Sequence, residues 1–319
     1  MTNVNVFTGF DVSKDSFDFF TIDGSVKSGG EKVAYTKEGL KSLTKKVPLV
    51  SHCVLEATGP YHLKLATWLY QKGYAVSVVN PLKTKHFSRM RMIRAKTDKA
   101  DAQMIAEYAQ MERPPLWQPP ARYIIELNHL ETMIEMQTKH RTALNNQLEA
   151  FEATGMIAPS IRSSLKKSIA QLEKTTQALE QRMEEIIENE HDAMLKNLTS
   201  IPGIGKKTAI ALIVATGGFT RFDSHKKLSA YLGLCPRIYE SGTSVKGKAR
   251  ICKLGMSRIR AMLYMCTWSA INKNIACKQL YDRLVEKGKA KMLALIAVAN
   301  KLLRQAFAIA KNGVQYQPI

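Results

Sequence analysis

The stretch VNVFTGFDVSKDSFDFFTI (residues 4–22) contains the first indication of the fold. Two runs rich in β-branched and aromatic residues, VNVFTGFDV (4–12) and SFDFFTI (16–22), flank the polar residues SKD. Runs of this kind, separated by turn-forming residues, are typical of neighbouring β-strands. Three further runs share this character: EKVAYT (31–36), HCVLEA (52–57) and YAVSVVN (74–80).

Helical patterns lie between and after these runs. KEGLKSLTKKV and YHLKLATWLYQKG separate the later strands, and PLKTKHFSRMRMI and DKADAQMIAEYAQ follow them. Three strands in succession, followed by strands that alternate with helices, predict a mixed sheet covered by helices. We therefore expect an α/β domain over residues 1–118.

From Tyr123 the hydrophobic period changes to alternating steps of four and three residues. This segment extends to residue 151, a second one covers residues 165–186, and both are heptad patterns typical of coiled-coil helices. The sequence EATGMIAPS between them supplies a glycine and a proline, so residues 119–197 are predicted to form an antiparallel coiled-coil hairpin. The pattern is compatible with an intramolecular spacer and with a dimerisation arm.

Positive charge is concentrated in the last third of the chain. The 319 residues include 47 Lys and Arg against 27 Asp and Glu, a net charge of +20, and 21 basic but only 4 acidic residues lie between Thr199 and Ile319. Such a field favours a polyanion, and nucleic acid is the commonest one; an anionic membrane surface is disfavoured because no amphipathic anchor is visible. The helical patterns here predict a mostly α-helical domain over residues 198–319.

The composition excludes several classes of protein. Apolar residues make up 45% of the chain, which excludes an intrinsically disordered protein, and the longest uncharged stretch has only 13 residues, which disfavours a membrane span. The five cysteines form no C-x-x-C pair, which argues against a disulfide framework and a cysteine-based zinc site. We expect reduced thiols and a cytoplasmic location.

Four acidic residues lie where a carboxylate invites a functional interpretation. Asp11 follows the apolar residues of the first predicted strand, and Glu56 ends a predicted interior strand. Asp98 and Asp101 share one face of a predicted helix, after the N-cap residue Thr97. Each acid has an ordinary alternative, namely a turn after a strand, a solvated strand end, or a favourable interaction with the helix dipole. Together, four convergent carboxylates suit divalent cations such as Mg²⁺, which prefer oxygen ligands.

These acids lie in motifs that resemble those of a known family. GFDVSKD, LEATGPYH and AKTDKADAQMIA resemble the N-terminal motifs of the DEDD transposases of the IS110 family, which also includes pilin-gene DNA invertases. IPGIGKKTA, AYLGLCPR and ESG, followed by a basic G-K-x-R-I-x-K run, resemble the C-terminal transposase domain of that family. The resemblance covers nearly the whole chain and implies a prokaryotic, nucleoid-associated protein.

The resemblance also implies a fold and a catalytic site. It implies a RuvC-like N-terminal domain with an RNase H fold, in which four carboxylates bind Mg²⁺ at a site with room for two ions; they correspond here to Asp11, Glu56, Asp98 and Asp101. It identifies Ser241 in ESG as the nucleophile that forms a covalent link to a DNA phosphate. On the residues alone, Ser241 is an ordinary turn serine. A serine needs a base or a metal for activation, and no histidine is close in sequence, so we expect a carboxylate and Mg²⁺ from the first domain to activate it.

Basic residues beside these motifs are candidate nucleic-acid contacts. IPGIGKKTA resembles a helix-hairpin-helix turn, in which Gly203 and Gly205 let backbone amides face a phosphate; the alternative is a glycine turn that opens a core helix. In the family, the N-terminal domain and the coiled coil also engage a structured guide RNA encoded by the element, and such RNA is held largely through shape and phosphates. The candidate contacts are Lys83, Lys85, Arg89, Arg91, Arg94, Lys206, Lys207, Arg237, Lys246, Lys248, Arg250 and Lys253.

The sequence thus favours a Mg²⁺-dependent, site-specific DNA recombinase or transposase. It would cleave and rejoin DNA strands through a serine–DNA ester and act as a homodimer or tetramer. Two alternatives are a RuvC-like structure-specific nuclease that uses water, and a non-catalytic nucleic-acid-binding protein. The presence of all four acids argues against the non-catalytic alternative.

Overall fold

A computed structural model of the chain describes residues 5–92, 97–237, 240–241, 245–246, 250–252 and 254–318. The chain folds into two compact units, residues 1–120 and residues 121–319. The long heptad segments of the sequence belong to the second unit.

The first unit is built on a five-stranded sheet. Its strands are β1 Val6–Val12, β2 Ser16–Asp23, β3 Val26–Ala34, β4 His52–Glu56 and β5 Ala75–Val79, and its helices are α1 Lys37–Lys46, α2 Tyr61–Gln71, α3 Pro81–Met90 and α4 Asp98–Glu112. The strand order is β3-β2-β1-β4-β5. Strands β1, β2 and β3 are antiparallel neighbours, whereas β4 and β5 run parallel to β1. The predicted α/β domain with a mixed sheet is confirmed.

Strand β3 begins five residues before the predicted run at residues 31–36, and ends two residues earlier. It is an edge strand, and most of its side chains are exposed, so it lacks the apolar pattern by which the other strands were recognised. Gly29 and Gly30 have φ angles of 117° and 88°, and they accompany an irregularity in the pairing opposite Phe19 and Phe20. Glycine adopts such angles without strain, which explains the pair of glycines within a strand.

The opposite edge of the sheet is covered by the segment that follows α4. The backbone amide of Trp117 donates a hydrogen bond of 2.7 Å to the carbonyl oxygen of Val76 in β5. The hydroxyl of Ser77 donates to the carbonyl oxygen of Pro115, also at 2.7 Å. The backbone carbonyl of Val76 and the hydroxyl of Ser77 in β5 therefore have partners within the unit.

The two faces of the sheet pack against different helices. One face contributes Phe10, Phe17 and Leu55 to a buried cluster with residues of α1 and α2. The other face lies under α4, and Gly9 allows the contact: a Cβ atom at this position would lie 2.3 Å from the amide nitrogen of Ala106 and 2.4 Å from the carbonyl oxygen of Ala102. Helix α4 can approach β1 this closely because residue 9 has no side chain.

The second unit is mostly helical, as predicted for the C-terminal part of the chain. Its helices are α5 Arg122–Ala153, α6 Pro159–Thr199, α7 Lys206–Thr216, α8 His225–Leu232, α9 Ser257–Lys273, α10 Ile275–Glu286 and α11 Lys291–Asn312. Four two-residue strands lie between α8 and α9: β6 Pro236–Arg237, β7 Glu240–Ser241, β8 Val245–Lys246 and β9 Arg250–Ile251. Strand β6 pairs with β9, and β7 pairs with β8.

Helices α5 and α6 pack against each other in opposite directions. An ion pair of 3.0 Å joins Arg182 to Glu126, and another of 3.2 Å joins Arg162 to Glu152 at the other end of the pair. The predicted heptad positions of α5 are buried or half-buried from residue 123 to residue 148, whereas most residues between them are exposed. The heptad period therefore marks the face on which α5 is covered.

Helices α7 and α11 contribute more residues to the core of the second unit than the other helices do. Every residue of α7 from Thr208 to Thr216 is buried. Helix α11 is long and apolar enough to span a membrane by length and composition alone. Its residues Val298, Leu302 and Ala306 are fully buried in the same cluster as those of α7, so internal packing accounts for its apolar face.

We expect Gly9→Ala to destabilise the first unit by about 3 kcal/mol, because the added methyl group overlaps backbone atoms of α4. Gly24→Ala is the control: its φ of 57° is unfavourable for alanine, but nothing lies within 4 Å of the new Cβ atom. The control should cost about 1 kcal/mol. Urea denaturation of the full chain measures both losses, and equal losses would contradict the close approach of α4 to β1.

Candidate functional site

Strand pairing brings acidic side chains together on the face of the sheet covered by α4. Asp11 and Asp18 are directly opposite each other in the antiparallel pair β1–β2, so their side chains point to the same side. Glu56 follows Leu55, whose parallel partner is Phe10, and therefore lies beside Asp11 at the carboxyl ends of the strands. Because alternate residues of a strand share a face, Asp11 lies on the same side as Gly9.

Helix α4 supplies the other two predicted acids. Asp98 is its first residue and Asp101 lies in its first turn, after Thr97, whose side chain accepts a hydrogen bond of 3.2 Å from the amide of Ala100. The predicted N-cap role of Thr97 is confirmed. The ammonium group of Lys32 on β3 lies 3.4 Å from Oδ2 of Asp98 in an exposed ion pair.

The electrostatic environment of Asp11 shows how near these acids are. Burial, together with the charges of nearby acids, raises the pKa of Asp11 to about 6. Burial is the largest cause, followed in order of strength by Asp101, Asp98, Glu56 and Asp18. The charges of Glu56, Asp98 and Asp101 therefore all act on the carboxylate of Asp11. Within the part of the chain that the structure describes, however, no three His, Cys, Asp or Glu side chains are already arranged to hold a metal ion. The donor set consists of carboxylate oxygens, which fits a hard divalent cation.

Two threonines that the sequence analysis missed hold Glu56. The hydroxyl of Thr84 donates a hydrogen bond of 2.7 Å to Oε2 of Glu56, and the hydroxyl of Thr58 donates one of 3.1 Å to Oε1. Thr84 is 1% exposed and belongs to α3, 28 residues away in sequence. Hydrogen bonds to both oxygens fix the orientation of this carboxylate. No local pattern marked Thr84, because its contact depends on the packing of α3 against β4.

Asp18 is a further acid that the sequence analysis missed. It is 7% exposed, and burial raises its pKa, although the positive charge of Lys32 opposes this effect. A signal was present in the run SFDFFTI, where a charged residue stands among apolar ones. An aspartate inside a strand is unusual enough to be marked as a candidate site residue.

The candidate cations of the first unit lie on and after α3. Lys83, Lys85, Arg89 and Arg91 are exposed, and the guanidinium group of Arg91 lies 5.7 Å from the centre of the Phe87 ring. Arg94 lies outside the described residues. An exposed row of this kind is compatible with a nucleic-acid contact and equally with a solvated helix face.

The candidate cations of the hairpin before α7 have partners within the protein. The ammonium group of Lys206 lies 2.8 Å from Glu184 and 2.9 Å from Glu188, and that of Lys207 lies 2.8 Å from Glu180. These three glutamates follow one another at four-residue steps along α6 and so share one face of that helix. A phosphate that binds either lysine would have to compete with these ion pairs.

The two glycines of that hairpin have different surroundings. Gly203 has a φ of 108°, and a Cβ atom there would lie 2.8 Å from the Cβ atom of Ala270, so this glycine permits close packing against α9. Gly205 precedes α7 as its N-cap, and nothing lies within 4 Å of its Cβ position. Of the two, Gly205 has the open surroundings that a phosphate contact requires.

The remaining candidates lie in or near the short strands. The backbone of Ser241 is in β7, opposite Val245, and its side chain lies outside the description. The same holds for Arg237, Lys246 and Arg250, whose backbones belong to β6, β8 and β9. Lys248 and Lys253 lie outside the described residues. The roles of all these residues stay predictions.

Comparison with known proteins assigns the family. Residues 8–151 match the DEDD transposase profile of IS110 elements, and residues 195–282 match the profile described as transposase IS116/IS110/IS902 family. The chain is 31% identical to the pilin gene-inverting proteins of Moraxella bovis and Moraxella lacunata over 320 aligned residues, with 96% of both chains covered. The chain belongs to the IS110 transposase family. A more distant relative is the transposase for insertion sequence element IS1111A of Coxiella burnetii, at 24% identity, with 92% of this chain and 86% of that protein covered.

Membership of the IS110 family confirms the resemblance seen in the sequence motifs. The first matched segment contains Asp11, Glu56, Asp98 and Asp101, and the second contains Ser241. Each half of the chain therefore has its own match to a transposase profile.

Asp11→Asn should stabilise the metal-free protein at pH 7.5 by about 1–2 kcal/mol, once solvent screening of a half-buried group is allowed for. The pKa of Asp11 rises from 3.8 to about 6 on folding, so the folded state binds this proton more tightly than the unfolded state does. The stability that the proton provides is lost as the pH rises through 6, because the ionised carboxylate is unfavourable in the folded state. The gain from the substitution should therefore shrink towards pH 4. Urea denaturation in EDTA at pH 7.5 and pH 4.5 measures it.

The control for this experiment is Asp15→Asn, which removes an exposed carboxylate from the turn between β1 and β2. It should leave the free energy of unfolding nearly unchanged at both pH values. A loss of stability in Asp11→Asn at pH 7.5 would contradict the crowding of negative charge around Asp11.

Proposed function

We propose that this IS110-family protein is a site-specific DNA recombinase that acts with a divalent cation, Mg²⁺ by preference, and a serine nucleophile. The observation that carries the proposal is the shared electrostatic environment of Asp11, Glu56, Asp98 and Asp101. Four like charges held close together, with Asp11, Glu56 and Asp101 partly buried, are unfavourable without a cation. The match to DEDD transposases over the same residues supports this interpretation.

The proposed reaction conserves phosphodiester bonds. A bound divalent cation would stabilise negative charge that develops on the reacting phosphate. The Oγ atom of Ser241 attacks the phosphorus, the bond from phosphorus to one strand end breaks, and the departing oxygen takes up a proton. A hydroxyl of another DNA end then attacks the serine ester, displaces Ser241 and restores its proton. Because each broken ester bond is replaced by another, strand joining needs no nucleotide hydrolysis.

The proposal includes a more specific architecture. The order β3-β2-β1-β4-β5, with three antiparallel strands followed by two parallel ones, supports an RNase H-like, RuvC-like fold for the first unit. The antiparallel packing and heptad burial of α5 and α6 support a coiled-coil hairpin. A homodimer or tetramer would bring together the two DNA sites that recombination requires.

The proposed substrate contacts are cations of both units. Lys83, Lys85, Arg89 and Arg91 would hold phosphates beside the acidic site, and the basic segment from Lys246 to Lys253 would hold DNA in the second unit. A structured guide RNA is a second proposed partner, since A-form RNA is held through shape and phosphate contacts that suit dispersed cations.

Ser241→Ala should abolish a covalent protein–DNA adduct that survives denaturation, because the nucleophilic oxygen is lost. The adduct is measured on denaturing gels with labelled DNA that carries the element ends, in the presence of Mg²⁺ or Mn²⁺. Ser244→Ala, a neighbouring serine in the sequence, is the matched control and should keep the adduct. Cleavage by Ser241→Ala at the unaltered rate would replace the serine mechanism with hydrolysis by water, as in a nuclease.

Replacing Lys246, Lys248, Arg250 and Lys253 by glutamine should weaken duplex binding and reduce the slope of log K against log salt by up to about 3–4, since each phosphate contact contributes roughly 0.9. The matched control replaces Lys206 and Lys207, whose ammonium groups are already paired with glutamates. Its slope should change less. Titrations at several salt concentrations give both slopes, and an unchanged slope in the first variant would refute the proposed DNA contact.

A further inference from the structure

Asp18 lies opposite Asp11, one of the acids of the proposed divalent-cation site, and its role is inferred on the basis of that proposed site. Pairing of the strands forms a row of residues across three of them, in which Asp11 on β1 is opposite Asp18 on β2, and Asp18 is opposite Lys32 on β3. Side chains of directly opposite residues share a face and have Cβ atoms about 4.5–5.5 Å apart. The row therefore places two carboxylates next to each other on the face covered by α4.

The cation of this row does not contact Asp18. The ammonium group of Lys32 lies 3.4 Å from Asp98. Among the described residues, Asp18 makes no hydrogen bond and no ion pair within 4 Å, although it is only 7% exposed. A carboxylate without a close cation is unfavourable at a largely buried position, and like charges directly opposite each other add to that cost.

The face of β2 that carries Asp18 is apolar beyond this residue. Phe20 and Ile22, the next residues of β2 on the same face, pack into a buried apolar cluster with Ala102 and Ala106 of α4. An apolar or amide side chain at position 18 would extend this packing without an unpaired charge. The negative charge is therefore unfavourable for the fold alone, and it lies on the side of β2 where Asp11 is.

We propose that Asp18 is a fifth acidic residue of the cation site, which raises the affinity for a divalent cation held by Asp11 by adding a buried negative charge beside it. Asp18 is a positioning residue, since it acts on the cation through its place next to Asp11. At a separation of this order inside a protein, a charge interacts strongly with its neighbour.

The test is a titration of the full chain with Mn²⁺, in which electron paramagnetic resonance measures the free ion in the absence of nucleic acid. Asp18→Asn should weaken Mn²⁺ binding by about 10-fold, the effect typical of groups that support metal ligands. The matched control is Asp23→Asn, which removes an exposed charge at the other end of β2 and should change the affinity by less than about twofold. Asp18→Ser is the second variant if asparagine is not accommodated.

A second measurement separates this role from a purely structural one. In EDTA, Asp18→Asn should be at least as stable to urea as the unaltered protein, because an unpaired buried charge is removed. A variant that loses stability in EDTA but binds Mn²⁺ with the original affinity would overturn the inference.

Asp11→Asn distinguishes failure of this inference from failure of the proposed function. If Asp11→Asn binds Mn²⁺ as well as the unaltered protein, the proposed cation site itself is wrong. If Asp11→Asn loses Mn²⁺ binding while Asp18→Asn behaves like Asp23→Asn, only the role of Asp18 is wrong.

Discussion

The close approach of α4 to β1 across Gly9 is the constraint on which the candidate site depends. Helix α4 carries Asp98 and Asp101 in its first turn, and its distance from the sheet decides how near these acids come to Asp11. Burial of apolar residues on α4 offsets the repulsion between the carboxylates, because the hydrophobic contacts and the acids lie on the same helix. The unit thus keeps an unfavourable charge arrangement at the cost of some stability, which is common where a protein binds a cation or performs chemistry.

The sequence predicted those parts of the fold that follow local rules. Strands β1, β2, β4 and β5 and helices α1 to α4 lie within a few residues of the predicted runs, since each has a buried face and a cap or turn at its ends. The start of β3 was wrong because an exposed edge strand needs no apolar alternation. The neighbourhood of Asp11 was accessible from the motifs, and Asp18 could have been marked as a charged residue inside an apolar strand, although its place opposite Asp11 depends on strand register. Thr84 had no such signal, because the packing of α3 brings it to Glu56 from 28 residues away.

The net charge of the last third of the chain predicted a nucleic-acid partner, but it did not show which lysines of the second unit are available to bind one. The count from Thr199 onwards omits the glutamates of α6, and three of these are bound to Lys206 and Lys207. Two of the most prominent lysines of the sequence are thus already paired with acids of a helix that precedes them. A charge count taken over a segment overestimates the number of cations that are available to phosphate, because a long helix returns acids to the same surface.

The two edges of the five-stranded sheet have a consequence for self-association. One edge is β3, which is polar, contains lysines and is irregular near Gly29 and Gly30. The other edge, β5, is partly covered by residues 115–117, which bind the carbonyl of Val76 and the hydroxyl of Ser77. Irregular, charged edges and covered edges are the usual defences against intermolecular β-pairing and aggregation. Copies of this chain are therefore not expected to join by extending the sheet from one molecule to the next, and any assembly has to use helical or loop surfaces instead.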